Sequence, residues 1–190
     1  MKLLHLDSSA LGANSVSRHL TAAVVEQQRR ANPALEVLRR DLDVDAPPHL
    51  SSAAFGDEAA QARSAAVLEE FLAADTVVIG APMYNFAIPS ALKAWIDRIA
   101  VAGKTFRYTG AGPEGLVPDK TVIVAIAAGG EHAGQPTDFI EPYLRHIFGF
   151  MGVRDLRFVR ADGVALSPER RRAAIALAVA ALREPLARAA

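Results

Sequence analysis

Thr76-Val77-Val78-Ile79-Gly80 is the stretch on which the fold turns. Its first four residues are all β-branched and three of them are apolar in succession, so neither face of the strand they form is suited to water. A strand apolar on both faces needs a layer of helices above and below a parallel sheet. The flanking sequence supplies them. Upstream, Asp57 can cap a helix carrying Ala66, Val67, Glu70 and Phe71 to its end near Ala74. Downstream, after a loop over residues 82–88, Pro89 suits the first turn of a helix bearing Leu92, Trp95, Ile96 and Ile99.

The rest of the chain repeats this alternation. Lys2-Leu3-Leu4-His5-Leu6 reads as a buried strand opening into the polar loop Asp7-Ser8-Ser9. A helix with Leu20, Val24, Gln27 and Gln28 runs to the stop signal Asn32-Pro33. Residues 35–39 alternate and form a second strand near an edge, and residues 45–55, with Pro47-Pro48, form an irregular excursion. Thr121-Val122-Ile123-Val124-Ala125-Ile126 is a fourth strand, residues 138–150 a helix, and residues 153–159 a fifth strand. Ser167-Pro168-Glu169 starts the last helix, with Ser as cap and Pro in the first position. The order βαβαβαβαβα predicts one α/β domain over residues 1–190. Its expected form is a flavodoxin-like, doubly wound, five-stranded parallel sheet in the order 2-1-3-4-5, with helices on both faces.

Composition narrows the function. The 190 residues are 51% hydrophobic and 22% charged, an ordinary globular balance rather than a disordered one. The 21 basic and 21 acidic residues cancel, so no field favours a nucleic-acid or anionic-membrane partner. The count of cysteines is 0, which removes disulfides, thiolate metal sites and thiol nucleophiles. The apolar start is broken by His5 and Asp7, and the longest apolar run, residues 173–182, is far short of the ~20 needed to span a bilayer. A cytoplasmic protein is expected.

In doubly wound sheets ligands sit beyond the carboxyl ends of the strands, which selects three loops. Loop 1, residues 7–17, leads into the first helix, whose unpaired N–H groups and partial positive charge favour a phosphate. Ser9, Ser15 and Ser17 can add hydroxyl donors; the alternative is that Ser15 or Ser17 simply caps the helix. With no lysine and no G-x-x-x-x-G-K-[ST] pattern, the loop suits a permanently held phosphomonoester better than a nucleoside triphosphate. Loop 3 places Met83, Tyr84 and Phe86 as walls and Asn85 with backbone N–H groups as an edge for a flat heteroaromatic ring; a hydrophobic plug or dimer contact is the rival. Loop 4 opens Ala127-Ala128-Gly129-Gly130, where the glycines permit close backbone approach or merely a tight turn.

Other signals fail. The glycines of Gly110-Ala111-Gly112-Pro113-Glu114-Gly115 match G-x-G-x-x-G, but the stretch carries a proline and precedes a strand instead of opening a helix after one. Asp41-Leu42-Asp43-Val44-Asp45 resembles a calcium loop, yet Ala46 and Ser52 occupy its glycine and glutamate positions. The five histidines lack ligand spacing, and no G-x-S-x-G elbow is present.

Taken together, the chain resembles the FMN-dependent NADH-azoreductases, a branch of the flavodoxin-like quinone reductases. The resemblance is carried by Ser8-Ser9, Asn14-Ser15-Val16-Ser17, Ala81-Pro82-Met83-Tyr84-Asn85-Phe86 and Phe106-Arg107-Tyr108-Thr109. Gly112-Pro113-Glu114-Gly115-Leu116, Gly129-Gly130, Pro136-Thr137-Asp138, Tyr143-Leu144 and Phe148-Gly149-Phe150 extend it over most of the chain. It implies a homodimer with one FMN per subunit near the interface. By similarity Ser9, Ser15, Val16 and Ser17 hold the phosphate; Met83, Tyr84, Asn85 and Phe86 line the isoalloxazine; Ala127, Ala128, Gly129 and Gly130 lie beside its pyrimidine end. One departure stands out: the family often has Ser-Arg where this chain has Ala127-Ala128, which leaves flavin potential and donor preference open.

The implied activity is ping-pong, two-electron transfer from NADH or NADPH through FMN to a quinone or aromatic azo compound, with no metal. Tyr108 and His132 are candidates for touching substrate or moving a proton; packing or loop roles are the alternatives. The competing function is a flavodoxin-type electron carrier without its own nicotinamide reaction. A third is an oligomeric domain with a vestigial ligand loop.

Overall fold

The structure, a computed structural model, describes residues 1–52 and 57–182. Five strands, β1 (Lys2–Asp7), β2 (Glu36–Asp41), β3 (Thr76–Pro82), β6 (Thr121–Ala127) and β7 (Asp155–Ala161), form one parallel sheet. Their spatial order is β2-β1-β3-β6-β7, the expected 2-1-3-4-5 arrangement once two hairpin strands are counted separately. Every residue of β3 is buried, as its two-faced apolar sequence requires.

Side-chain alternation sorts the core into two layers. Leu4, Leu6, Val77, Ile79, Val122 and Val124 point to one face, covered by α2 (Glu58–Ala73), α3 (Ser90–Ile99) and α4 (Ile140–Phe150). Leu3, Val78, Ile123 and Ala125 point to the other, under α1 (Val16–Ala31) and α5 (Pro168–Ala181). On the first face Phe71 meets Trp95 edge-on with centroids 5.9 Å apart. Fully burying a large apolar chain of this kind contributes roughly 1.5–3 kcal/mol.

Helix ends follow the sequence signals closely. Ser15 caps α1 by accepting from the Arg18 N–H, Asp57 caps α2 at Ala59, and Ser167 caps α5 at Arg170 with Pro168 in the first turn. Pro89 sits one residue earlier than expected, as the extended cap of α3 with ψ 143°. Asp138 stands just outside α4 rather than in it, its carboxylate accepting from Ile140 and Glu141 N–H. The fifth strand starts two residues late, because Val153 bonds back to the Phe148 carbonyl to close the helix end. Of the 45–55 excursion, residues 45–52 are irregular and the remainder lies outside the described residues.

Two kinds of element are absent from the sequence expectations, a short 3-10 turn over Gly12–Asn14 and a hairpin. Residues 106–115 form an antiparallel hairpin, β4 (Phe106–Thr109) and β5 (Gly112–Gly115), outside the main sheet. The failed glycine motif is its turn and second strand: Gly112 has φ +114°, and the Thr109 hydroxyl donates to its carbonyl at 2.8 Å. Gly115 lies directly on the backbone of Gly152 at the end of α4, where a Cβ would come within 2.1 Å of the Gly152 nitrogen.

Candidate functional site

β1 has β2 on one side and β3 on the other. The chain leaves β1 toward one edge and later proceeds toward the opposite edge, so a crevice opens beyond the carboxyl ends of β1 and β3. Loops 1, 3 and 4 converge there, cross-linked by specific hydrogen bonds.

Loop 1 is bound to the sheet at its start, where the Ser8 hydroxyl donates to the Gly80 carbonyl at 2.6 Å. Ser9, Ser15 and Ser17 are all buried, and the Ser15 and Ser17 hydroxyls are 3.1 Å apart. Ser15 therefore does cap α1, yet its oxygen also belongs to a cluster of hydroxyls at the helix start. The N–H groups of Val16 and Ser17, in the first turn, have no acceptor among the described residues. Hydroxyl donors, free amides and the positive end of a helix dipole coincide, a donor set matched to a phosphomonoester.

Below this cluster lies a buried charge network. The Asp7 carboxylate accepts from the Thr21 hydroxyl at 2.8 Å and from Arg39 at 2.9 Å, with His5 Nε2 3.4 Å away. Burial pushes the Asp7 carboxyl up, but the His5, Arg39 and Thr21 contacts outweigh it and hold the group down at about 2. Asp41, at the end of β2, accepts both terminal nitrogens of Arg18, and this bond keeps its carboxyl below the ordinary range.

Loop 3 reverses in a two-residue turn. Tyr84 and Ala87 exchange backbone hydrogen bonds of 2.9 and 3.0 Å, and Asn85 and Phe86 between them have φ of +50° and +68°. Positive φ at both centres is the type I′ geometry normally given to Asn-Gly. A Phe in the second position holds a conformation that disfavours a bulky side chain, with the ring lifted to 52% exposure. Tyr84 points back: its hydroxyl lies 3.1 Å from Ser9 Oγ and accepts from the Ala10 N–H. Tyr84 thus fastens loop 3 to loop 1 in addition to forming a wall. Met83 is split, its N–H donating to the Ala127 carbonyl while its side chain packs on the core.

Loop 4 is held from behind. The carbonyls of Ala128, Gly129 and Gly130 accept from Val164, Ala165 and Gly163 N–H, and Ala128 donates to Ala161. The N–H groups of Gly129 and Gly130 have no acceptor among the described residues. Ala128 is fully buried, so the first side chain to leave this stretch is that of Glu131, which is exposed and paired with Arg170. The Asp162 carboxylate accepts from the His132 and Ala133 N–H groups, His132 Nδ1 lies 2.8 Å from the Thr137 hydroxyl, and the imidazole meets Phe86 edge-on at 5.7 Å. A Cβ on Gly130 would come within 2.9 Å of His132 Nε2, so only glycine allows the ring this position.

The structure accordingly brings Ser9, Ser15, Val16, Ser17, Tyr84, Asn85, Phe86, Gly129, Gly130 and His132 to the same three loops. Tyr108 stands elsewhere, three-quarters exposed on β4 with its ring edge-on to Phe106 at 5.6 Å. Sequence reasoning gave no part in the site's polar network to Asp7, Arg18, Asp41, Thr137 or Asp162. Asp7 and Asp162 each follow an apolar strand end, the one signal by which they could have been noticed. Among the described residues no group of acidic or histidine side chains could hold a metal ion. No helix of the described residues is long and apolar enough to cross a membrane.

Comparison with known proteins agrees with this fold. A family described as having a flavodoxin-like fold matches residues 1–186. An FMN-dependent NADH:quinone oxidoreductase 1 of Xanthomonas axonopodis pv. citri is 62% identical, covering 97% of this chain and 96% of its own. An FMN-dependent NADH:quinone oxidoreductase of Stenotrophomonas maltophilia is 56% identical, over 96% and 94%. Among solved structures, an FMN-dependent NADH-azoreductase from Bacillus anthracis in complex with FMN superposes with a TM-score of 0.84 at 27% identity, over 96% and 97% of the two chains.

Proposed function

Because the chain belongs to this flavodoxin-like fold family, we propose that it is an FMN-dependent oxidoreductase carrying two electrons from NADH to quinones and aromatic azo compounds. The observation that carries the reading is the donor cluster at the start of α1, where the buried Ser15 and Ser17 hydroxyls stand with two free amides and the buried Ser9 lies on the same loop. FMN, when bound, supplies the hydride chemistry, and the protein's part is to bind, orient and exclude water.

Ser9, Ser15 and Ser17, with the Val16 and Ser17 amides, hold the phosphate. Met83, Tyr84, Asn85 and Phe86 border the ring. The unpartnered amides of Gly129 and Gly130 meet its pyrimidine end, where they offset negative charge. Ala127 and Ala128 contribute backbone alone. No cationic side chain stands at that position, so the charge there is met by amide dipoles.

His132 is the stronger of the two side-chain candidates for touching substrate, since Thr137 and Phe86 fix its ring at the mouth of the crevice. Tyr108 serves only if another surface, such as a partner subunit, brings it near. Exposed Leu11, Phe86 and Phe139, all at the carboxyl end of the sheet, support a homodimer whose partner covers this opening. A single mouth taken in turn by NADH and by the acceptor gives ping-pong kinetics. The reading includes one domain over residues 1–190, cytoplasmic placement, and NADH favoured as donor.

The test is anaerobic mixing of the FMN-loaded protein with NADH. Bleaching of the flavin, reversed by a quinone or an azo dye, is expected. A flavin that stays oxidised with NADH would identify an electron carrier instead, and a protein that takes up no FMN would refute both.

A further inference from the structure

Arg18 bonds loop 1 at Ser9 and at Ser15, and its contacts are unusual for a residue beside an anion site. The edge formed by Nε and Nη2 donates to the Ser9 carbonyl at 3.2 and 2.7 Å. The edge formed by Nη1 and Nη2 donates to both oxygens of Asp41 at 2.5 and 2.7 Å. Asp7 Oδ2 lies 3.6 Å from Nη1, and the Arg18 backbone N–H donates to Ser15 Oγ at 3.2 Å. One residue therefore touches both serines at the two ends of the loop. Its side chain is 13% exposed, and its charge is faced by two carboxylates.

We propose that Arg18 is a positioning residue for FMN: a strut that locks the Ser9 carbonyl to the end of β2 and so fixes the course of loop 1 between Ser9 and Ser15, without binding the phosphate itself. The inference rests on loop 1 being the phosphate-holding loop. The physical reason lies in the fork. A guanidinium already engaged with a carboxylate on one edge and a carbonyl on the other would have to break a bidentate pair to reach a phosphate. Its neutralised charge offers little attraction at a distance, whereas its two-edged grip adds to the Ser8–Gly80 and Ala10–Tyr84 bonds that hold the loop. Asp41 is the anchor of the strut; Asp7, held by His5, Thr21 and Arg39, is its second wall.

Affinities of FMN and of riboflavin, which lacks the phosphate, separate the possibilities. Both are read by quenching of flavin fluorescence in Arg18→Met, Arg18→Lys and Asp41→Asn variants. The strut predicts that wild type prefers FMN and that Arg18→Met lowers that preference about tenfold, the loss of roughly one hydrogen bond to a charged group. Riboflavin affinity should stay unchanged, which also reports an intact ring site. Arg18→Lys keeps the charge but cannot span Ser9 and Asp41, so it should lose nearly as much. Asp41→Asn should weaken FMN binding too, because the anchor is loosened.

Tighter FMN binding in Asp41→Asn, or a lysine variant equal to wild type, would overturn the strut in favour of a through-space cation. An unchanged FMN preference in Arg18→Met would overturn it outright. If the methionine variant does not fold, the lysine and asparagine variants decide between the same outcomes. A wild type that binds FMN and riboflavin equally would reject the phosphate loop itself, and the strut with it.

Discussion

Ser15 and Ser17 stand two residues apart at the start of α1, yet their replacement should separate stability from binding. Ser15 is the cap, its oxygen accepting the Arg18 N–H at 3.2 Å, while Ser17 is inside the first turn and caps nothing. Ser15→Ala should therefore cost the apo-protein about 1 kcal/mol, or about 2–4 °C in Tm for a chain of this size. Ser17→Ala should cost little, since alanine favours the helix. Toward FMN the two should behave alike. A hydroxyl lost from a charged group costs about 1.5–3 kcal/mol, or roughly 10- to 150-fold in Kd. The hydroxyls are 3.1 Å apart and on the proposed reading would meet one phosphate, so the double variant should lose less than the sum of the singles. Fluorescence titration with FMN gives the affinities, and thermal melts of the apo-proteins give the stabilities. Undiminished FMN affinity in Ser17→Ala would refute the assignment, because no loss of the cap could then be blamed.

Two further consequences follow from the packing. Asp7 ionises at about 2 in the folded protein against an ordinary 3.8, a difference worth about 2.5 kcal/mol. Because the folded value is the lower one, that stability is present above about pH 4 and is lost as pH falls through about 2. Asp7→Asn should thus be less stable to urea by about 2 kcal/mol near neutrality, with the gap closing on acidification; a gap independent of pH would contradict the network described. Gly115→Ala would drive a Cβ into the Gly152 backbone, where no side chain can yield. A loss of about 1–3 kcal/mol is expected, and an unaltered Tm would show that the hairpin does not rest on α4 as described.

Much of the site was legible one loop at a time. Ser9, Ser15 and Ser17 were marked as candidates by hydroxyls next to a helix start, and Gly129-Gly130 by backbone access. Tyr84 was harder: as one of three bulky residues it read as a wall, whereas its hydroxyl bonds a serine 75 residues away. Phe86 gave no warning of its positive φ, because the turn that imposes it depends on Tyr84 pairing with Ala87. Arg18 carried no signal in the sequence, because Asp41 and Ser9 close around it only in the fold.

Sequence by itself determined the layers and their order, since strand burial, helix caps and β-α alternation are all written within a few consecutive residues. Thr76 to Gly80 needed no partner to show that it would be covered on both faces. Only the tertiary structure decided which polar groups meet. The Asp7, Arg18, Arg39 and Asp41 network joins two neighbouring strands and a helix, and the Phe86–His132 contact joins loops after different strands. The separate hairpin bearing Tyr108 likewise emerged only there, because four-residue strands carry too little alternation to register and its seat is the close approach of Gly115 to Gly152. Such contacts act across tens of residues, at distances set by the sheet, and no local pattern encodes them.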